Sequence, residues 1–522
     1  MNETHDKINT FVKKGFLLDR ESLDFLLKLD NAVLAEEILN KLNIITKSRV
    51  ISKKTFNEHF NEIKSSLNFV EPEKKLIVMD FFNESQKINS LPAIKFEERD
   101  KNEKPNYTDL KILSSDVIPY RKIEVRDFVT HFKNRYNFFK DLLSGRKELD
   151  NLISINKIGN TRSFSIIGLV SNKRITKNKN VILEVEDLTG KVNVLINQDK
   201  EQIIKKAKEV VMDDVIGLKC AGSGDFIYAS DIIFGDAMVI DKKKADEESY
   251  AIFISDIHFG SKLFLKEKFE KFLKWIRAEE IEDEVMREKV KKIKYLFIVG
   301  DNVDGIGVYP GQEALLTHKD VKDQYVQLAE YLKLIPKHIK IIMCPGQHDA
   351  VRVPEPQPAI DEEFALELTK MNNLFLVSNP SLIEIDCAKG KRGFKVLIYH
   401  GASMHSWIDE IEDLRMGQAN LNPSKVVKYM LKHRHLSPMH SGNVYVPGEN
   451  EDSLAIKEIP DILVTGDMHR TDVDIYNNIL IICCSCWQSI TPFEEKVGNQ
   501  PDPCKVPMLN LKTREMKILD FS

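Results

Sequence analysis

Five short polar motifs stand in order along the second half of this 522-residue chain: SDIHFG (Ser255–Gly260), VGDNVDG (Val299–Gly305), PGQHDAVR (Pro345–Arg352), YHG (Tyr399–Gly401) and TGDMHR (Thr465–Arg470). Short apolar runs precede them: AIFI, YLFIV, IIMC, FKVLI and DILV. A buried strand ending at a polar loop delivers its last residues to the carboxyl edge of a sheet, where α/β folds build their sites. Five such loops on one edge can gather Asp, His and amide oxygens around a pair of metal ions. A lone Asp-x-His is ordinarily a surface loop, so the weight rests on the joint, ordered occurrence. His405, His433, His435 and His440 lie outside these motifs and are given no metal role.

The chain is too long for one core and calls for several domains. With 42% hydrophobic and 30% charged residues it reads as soluble and globular. No apolar stretch approaches the roughly 20 residues that span a bilayer. The start, MNETHDKINTFVKKG, has no apolar signal core, which predicts a cytoplasmic protein with no membrane contact. A net charge of −4 argues against coating nucleic acid by bulk electrostatics. It does not oppose a nuclease, in which bound cations supply positive charge locally. Three of the 7 cysteines crowd into ICCSCW (Cys483, Cys484, Cys486), where buried free thiols are expected.

Four segments follow. Residues 1–70 predict a helical module, with Leu23, Leu26 and Leu27, then Val33, Leu34, Ile38, Leu39 and Leu42 at helical spacing, and Asp19 and Asn31 as caps. Residues 71–155 predict a linker, EERDKNEKPNYTD (Glu97–Asp109), then an amphipathic helix, Asp127–Leu143, with Phe128, Phe132, Phe139 and Leu142 on one face. Residues 156–245 alternate as about five short strands, with a turn at Asp187–Gly190 and a helix over Asp199–Ala207. That is the layout of an OB-fold barrel. Its exposed aromatics are few (Phe226, Tyr228), so DNA contact and partner contact both remain open. Residues 246–522 alternate strand and helix, with helices expected over Leu265–Ala278, Glu313–Ile335 and Pro423–His433, and suit a two-sheet α/β sandwich. The end, MKILDF (Met516–Phe521), is expected as a last strand.

Phosphodiester hydrolysis needs an activated water, a cradle for a negative transition state and help for the departing oxygen; two cations about 3.5–4 Å apart supply the first two. Asp256 and His258, one residue apart, share a side if extended. Asp301 suits a bridge, since each carboxylate oxygen can face one ion. Gln347 offers an amide oxygen, His348 an imidazole towards substrate, and His400, Asp467 and His469 complete the set. Mixed nitrogen and oxygen donors fit Mn²⁺, Zn²⁺, Fe or Ni.

The motifs resemble the calcineurin-like metallophosphoesterase superfamily over about residues 250–522. QHDAVRVPEPQPA (Gln347–Ala359), HGASM (His400–Met404) and VVKYMLKHRHLSP (Val426–Pro438), behind an OB-like domain, resemble the small subunit of archaeal DNA polymerase D. The resemblance implies an α/β fold, a two-sheet calcineurin-like phosphoesterase sandwich preceded by an OB-fold β-barrel and a small helical N-terminal domain. It implies a 3′→5′ exonuclease with two divalent ions, Mn²⁺ foremost, that proofreads DNA 3′ ends for a large polymerising subunit and meets a sliding clamp through the holoenzyme. It assigns Asp256, His258, Asp301 and His469 to the first ion, and Asp301, Gln347, His400 and Asp467 to the second. It makes His348 the catalytic histidine. Gln347 stands where Asn is common and keeps the amide oxygen; Asp467 stands where a His is common, remains a competent hard-metal ligand and adds negative charge. Two rivals remain: a catalytically silent accessory subunit, and a free-standing phosphoesterase.

Overall fold

Long apolar runs flanked by polar loops force strands that are buried on both faces, and the computed structural model shows where they go. It describes residues 16–19, 22–23, 25–26, 32–46, 50–59, 109–115, 122–159, 163–223, 226–387 and 391–522. The expected linker residues 97–108 and the expected cap Asn31 lie outside the described residues. The chain separates into Met1–Lys104 and Pro105–Ser522.

In the first unit, helices Ala32–Thr46 and Lys53–Glu58 accompany a short parallel pair, β1 (Leu17–Leu18) with β2 (Val50–Ile51). Phe16, Phe25, Leu26, Ile38, Leu39, Leu42, Ile51 and Phe56 form its core. The Asp19 carboxylate accepts from the Ser22 N–H and the Lys53 N–H, both at 2.8 Å, so it caps two segments at once. The strand pair departs from an all-helical module; two residues carry no period to read.

The second unit contains a closed barrel: β4 (Phe164–Ile175), β5 (Val181–Glu186), β6 (Lys191–Ile196), β7 (Val215–Ser223) and β8 (Phe226–Ile233), in the order β4-β5-β6-β8-β7. The β6–β8 pair is parallel, and the helix Glu201–Glu209 spans the gap before β7. The Asp187 carboxylate accepts from the N–H groups of Thr189 and Gly190, fixing the expected turn.

Two six-stranded sheets follow. One runs β12 (Leu374–Leu376), β11 (Lys340–Cys344), β10 (Ile293–Val299), β9 (Tyr250–Ile254), β18 (Lys505–Asn510), β19 (Met516–Asp520). The other runs β16 (Asp472–Tyr476), β17 (Ile479–Cys483), β15 (Ile462–Thr465), β14 (Phe394–Tyr399), β13 (Ser381–Ile385), β3 (Leu110–Ser115). Alternate residues of both, including Phe253, Phe297, Ile342, Val396, Ile398, Val464 and Ile482, make one shared core between the sheets. Their other faces bury against helices, Lys266–Ile276 and Val321–Leu332 on the first and Ser424–His433 on the second. Strands β9, β10 and β11 are mutually parallel, as are β14, β15 and β17, so each set ends at a common edge.

Three expectations are corrected. The segment 71–155 is not only linker and helix: β3 pairs with β13 at a sheet edge, anchored where the Asp109 carboxylate receives the Lys340 ammonium and the Tyr295 hydroxyl. Its short KILSS run carries too little alternation to read. The long helix expected over Glu313–Ile335 begins only at Val321, where the Asp320 side chain caps it. The helix Val125–Ser144 buries His131, Arg135, Tyr136, Phe139 and Leu143, while Phe128, Phe132 and Leu142 are only half-buried.

That polar buried face joins the barrel to the sheets. Arg135 donates to Asp452 at 2.6 Å, to the Asp213 carbonyl and to the Pro438 carbonyl; His435 Nε2 lies 2.8 Å from the same Asp452. His433 Nδ1 reaches Asp214 of the barrel at 2.8 Å. Burial raises the Asp452 carboxyl, but Arg135, His435 and His131 outweigh it and hold the group well below the usual range. Removing one partner leaves buried charge unpaired. Asp452→Ala is therefore expected to destabilise Pro105–Ser522 by about 3–5 kcal/mol in urea unfolding of the full chain, with Asp452→Asn milder.

Candidate metal centre

All five motif loops meet. Asp256 and His258 follow β9, Asp301 follows β10, and Gln347 and His348 follow β11 in the first sheet. His400 follows β14, and Asp467 and His469 follow β15 in the second. Backbone bonds tie loop to loop: Asp256 N–H donates to the Gly300 carbonyl, His258 N–H to the Asp301 carbonyl, and Gly466 N–H to the His400 carbonyl. Asp467 N–H donates to Asp256 Oδ2.

The backbone itself is strained here. Asp256 (φ 50°), His258 (50°), Asp301 (48°), Asp467 (65°) and His469 (53°) all lie in the left-handed region. Residues with side chains rarely adopt it, and such conformations concentrate where the surroundings over-determine a site. Gly346 makes the approach possible: a Cβ there would come within 2.2 Å of Asp301 Oδ1 and 2.6 Å of His400 Nε2.

The donor atoms fall into two groups around Asp301. On one side, His469 Nε2 lies 3.4 Å from Asp256 Oδ1 and 3.2 Å from His258 Nε2, which is 3.9 Å from Asp301 Oδ2. On the other, His400 Nε2 lies 3.3 Å from Asp301 Oδ1 and 3.7 Å from Asp467 Oδ1, and the Gln347 amide reaches Asp467 at 3.5 Å. Thus each oxygen of Asp301 faces a different group. All eight residues singled out in the sequence are brought together.

Each imidazole is oriented from behind. His400 Nδ1 sits 2.9 Å from the Val299 carbonyl, His348 Nδ1 2.8 Å from the Asp304 carbonyl, His258 Nδ1 3.2 Å from the Asp304 carboxylate and His469 Nδ1 2.8 Å from Glu494. Carbonyls and carboxylates accept, so each Nδ1 carries a proton and each Nε2 is turned towards the centre. Burial opposes charge on both His400 and Asp301, yet their attraction outweighs it. His400 is pushed well above the ordinary imidazole range and Asp301 held well below the carboxylate range. Burial, with Asp301 nearby, raises Asp349 to about 6; its oxygens accept from the Asn302 and Gly346 N–H groups and the Tyr325 hydroxyl, locking the second and third loops.

Three buried donor atoms, Asp256 Oδ1, Gln347 Oε1 and His400 Nε2, have no hydrogen-bond partner. Buried polar atoms are ordinarily satisfied, and these three belong to the groups around Asp301. With three carboxylates and two Nε2 atoms 3.2 Å apart, the donor set fits divalent cations. Two residues escaped the sequence reading. Asp304, inside VGDNVDG, orients His258 through its carboxylate and His348 through its carbonyl. Glu494 orients His469 while closing a capping box with Thr491. The T-x-x-E spacing signalled the cap; nothing in the letters linked it to a histidine 25 positions away. ICCSCW holds buried free thiols.

Residues 251–473 match the family model that describes the B subunit of DNA polymerase alpha/epsilon. The chain is 37% identical over 404 residues to the DNA polymerase II small subunit of Methanothermobacter thermautotrophicus, covering 77% of this chain and 81% of that protein. It is 32% identical over 499 residues to that of Archaeoglobus fulgidus, covering 95% and 94%. Against the Pyrococcus furiosus protein, 37% identity over 408 residues covers 77% and 64%. The order of the motifs, the convergence of their loops and this extent of similarity lead to one conclusion: the chain belongs to the family of small subunits of the archaeal family D DNA polymerase, DNA polymerase II.

Proposed function

We propose that this chain is the proofreading 3′→5′ exonuclease of its polymerase, working at DNA 3′ ends beside the larger catalytic subunit that a small subunit implies. In this reading the two facing sheets are a calcineurin-like phosphoesterase sandwich and the five-stranded barrel is an OB-fold. The observation that carries it is the set of orphaned donors, Asp256 Oδ1, Gln347 Oε1 and His400 Nε2, around a carboxylate whose two oxygens face two groups.

Asp256, His258, Asp301 and His469 would hold one divalent cation and Asp301, Gln347, His400 and Asp467 the other, with Mn²⁺ first among Mn²⁺, Zn²⁺, Fe and Ni. Such ions, when bound, activate water and offset charge on the phosphoryl oxygens. The remaining work belongs to the chain. The Asp304 carbonyl keeps a proton on His348 Nδ1, and the His348 backbone N–H donates to Asp301 Oδ1 at 2.9 Å, so both ring and backbone are held beside Asp301. Its Nε2, 4.0 Å from Asp301 Oδ2, holds a proton for the departing oxygen. As the water oxygen bonds to phosphorus and one water proton passes to solvent, the P–O3′ bond breaks; the departing 3′-oxygen takes the His348 proton to become a 3′-hydroxyl, and a nucleoside 5′-monophosphate leaves.

His348→Ala is expected to lower kcat on 3′-labelled DNA with Mn²⁺ by about 10²–10⁴-fold, with KM little changed. Equal rates in variant and wild type would rule out the role. Gly346→Ala, which drives a methyl into Asp301 and His400, is expected to abolish cleavage and metal-dependent stabilisation together. Wild type that cleaves no DNA with any divalent cation, alone or with its larger subunit, makes the chain a silent accessory.

A further inference from the structure

Between Asp304 and the buried Gln312 runs GIGVYPG, an apolar loop whose Tyr309 lies beside His348. Ile306 is 42% exposed and Val308 39% exposed, Pro310 is exposed, and Tyr309 is half-buried. Single exposed apolar residues are ordinary, but three within five positions, with a half-buried tyrosine among them, are not. Nor is the loop loose. Gly305, Gly307 and Gly311 all take left-handed φ (71°, 73°, 84°). Gln324, fully buried, accepts from the Gly305 N–H at 3.0 Å and donates to the Gly305 carbonyl. Gln312 accepts from the Val308 N–H at 2.9 Å and donates to the Asp304 carbonyl at 2.6 Å.

The loop is therefore built to hold apolar side chains towards solvent, and it is rigidly joined to the chemistry. The Asp304 carbonyl that receives Gln312 also orients His348, and the Tyr309 ring lies 6.3 Å from the His348 ring at 57°. A phosphodiester presented to His348 carries a nucleobase on each side. An aromatic ring at that distance, on a stiff apolar loop, meets the base next to the linkage.

We propose that residues 305–311 form a stacking platform on which Tyr309 receives an unpaired base at the 3′ end of DNA, so that the site takes frayed or mismatched ends in preference to paired ones. Tyr309 is a positioning residue, and the proposal rests on the exonuclease reading. Stacking on an aromatic side chain needs a splayed base, which a paired terminus supplies only after melting, and it is tolerant of sequence because every base has a π-face.

The test uses the full chain with Mn²⁺ and an oligonucleotide bearing 2-aminopurine at its 3′ end, its last linkage made non-cleavable by a bridging methylene. Stacking quenches the fluorophore. Wild type and Tyr309→Phe should quench it; Tyr309→Ala should not, and should bind about five- to hundred-fold more weakly. With an abasic 3′ residue the three proteins should bind alike. Melting curves of the variants show that each is folded. Equal quenching by wild type and Tyr309→Ala, or none by wild type, overturns the platform. Tyr309-dependent quenching in a protein that cleaves nothing keeps the platform and removes the nuclease.

Discussion

The geometry of this protein turns on one buried carboxylate. Asp301 stands at the end of a central strand, its side chain almost wholly inside, with imidazoles of two sheets converging on its two oxygens. Bringing Asp256, Asp301 and Asp467 so close costs electrostatic energy that nothing apolar can recover. Positive charge at the centre is the natural counterweight, whether protons on imidazoles or divalent cations. The left-handed residues, the bare Gly346 and the paired sheets all serve that convergence. Strain of order 1–3 kcal/mol per residue persists because parallel strands on both sides leave the loops nowhere else to go.

Much of this was legible in the letters. Buried parallel strands write themselves as unbroken apolar runs, and β9, β10, β11, β14 and β15 each end directly before a motif. The convergence of eight motif residues and the five barrel strands follow from that and from simple alternation. The orienting partners did not, because a second-row role has no spacing. Nothing in the spacing of Asp304 or Glu494 points to the histidines they orient. Likewise β3 was too short to show a period, and the buried charge of His131 and Arg135 hid within a helix whose phenylalanines promised an apolar face. Helix breaks such as the one before Val321 depend on a single capping aspartate, which pattern alone weighs poorly.

The arrangement also shows how Gln347 and Asp467 are held. Both supply an oxygen from loops held by neighbours rather than by themselves. Asp349 locks the third loop to the second, and Asp256 Oδ2 accepts from the Asp467 N–H. Family membership fixes the chain's place as the small subunit of a polymerase.

Whether two cations share Asp301 can be decided by anomalous diffraction from crystals grown with Mn²⁺. Two peaks are expected, about 3.5–4 Å apart, one within bonding distance of His258 and His469 and the other of His400 and Gln347, with Asp301 touching both. A single peak, or peaks that leave Asp301 untouched, would refute the shared carboxylate.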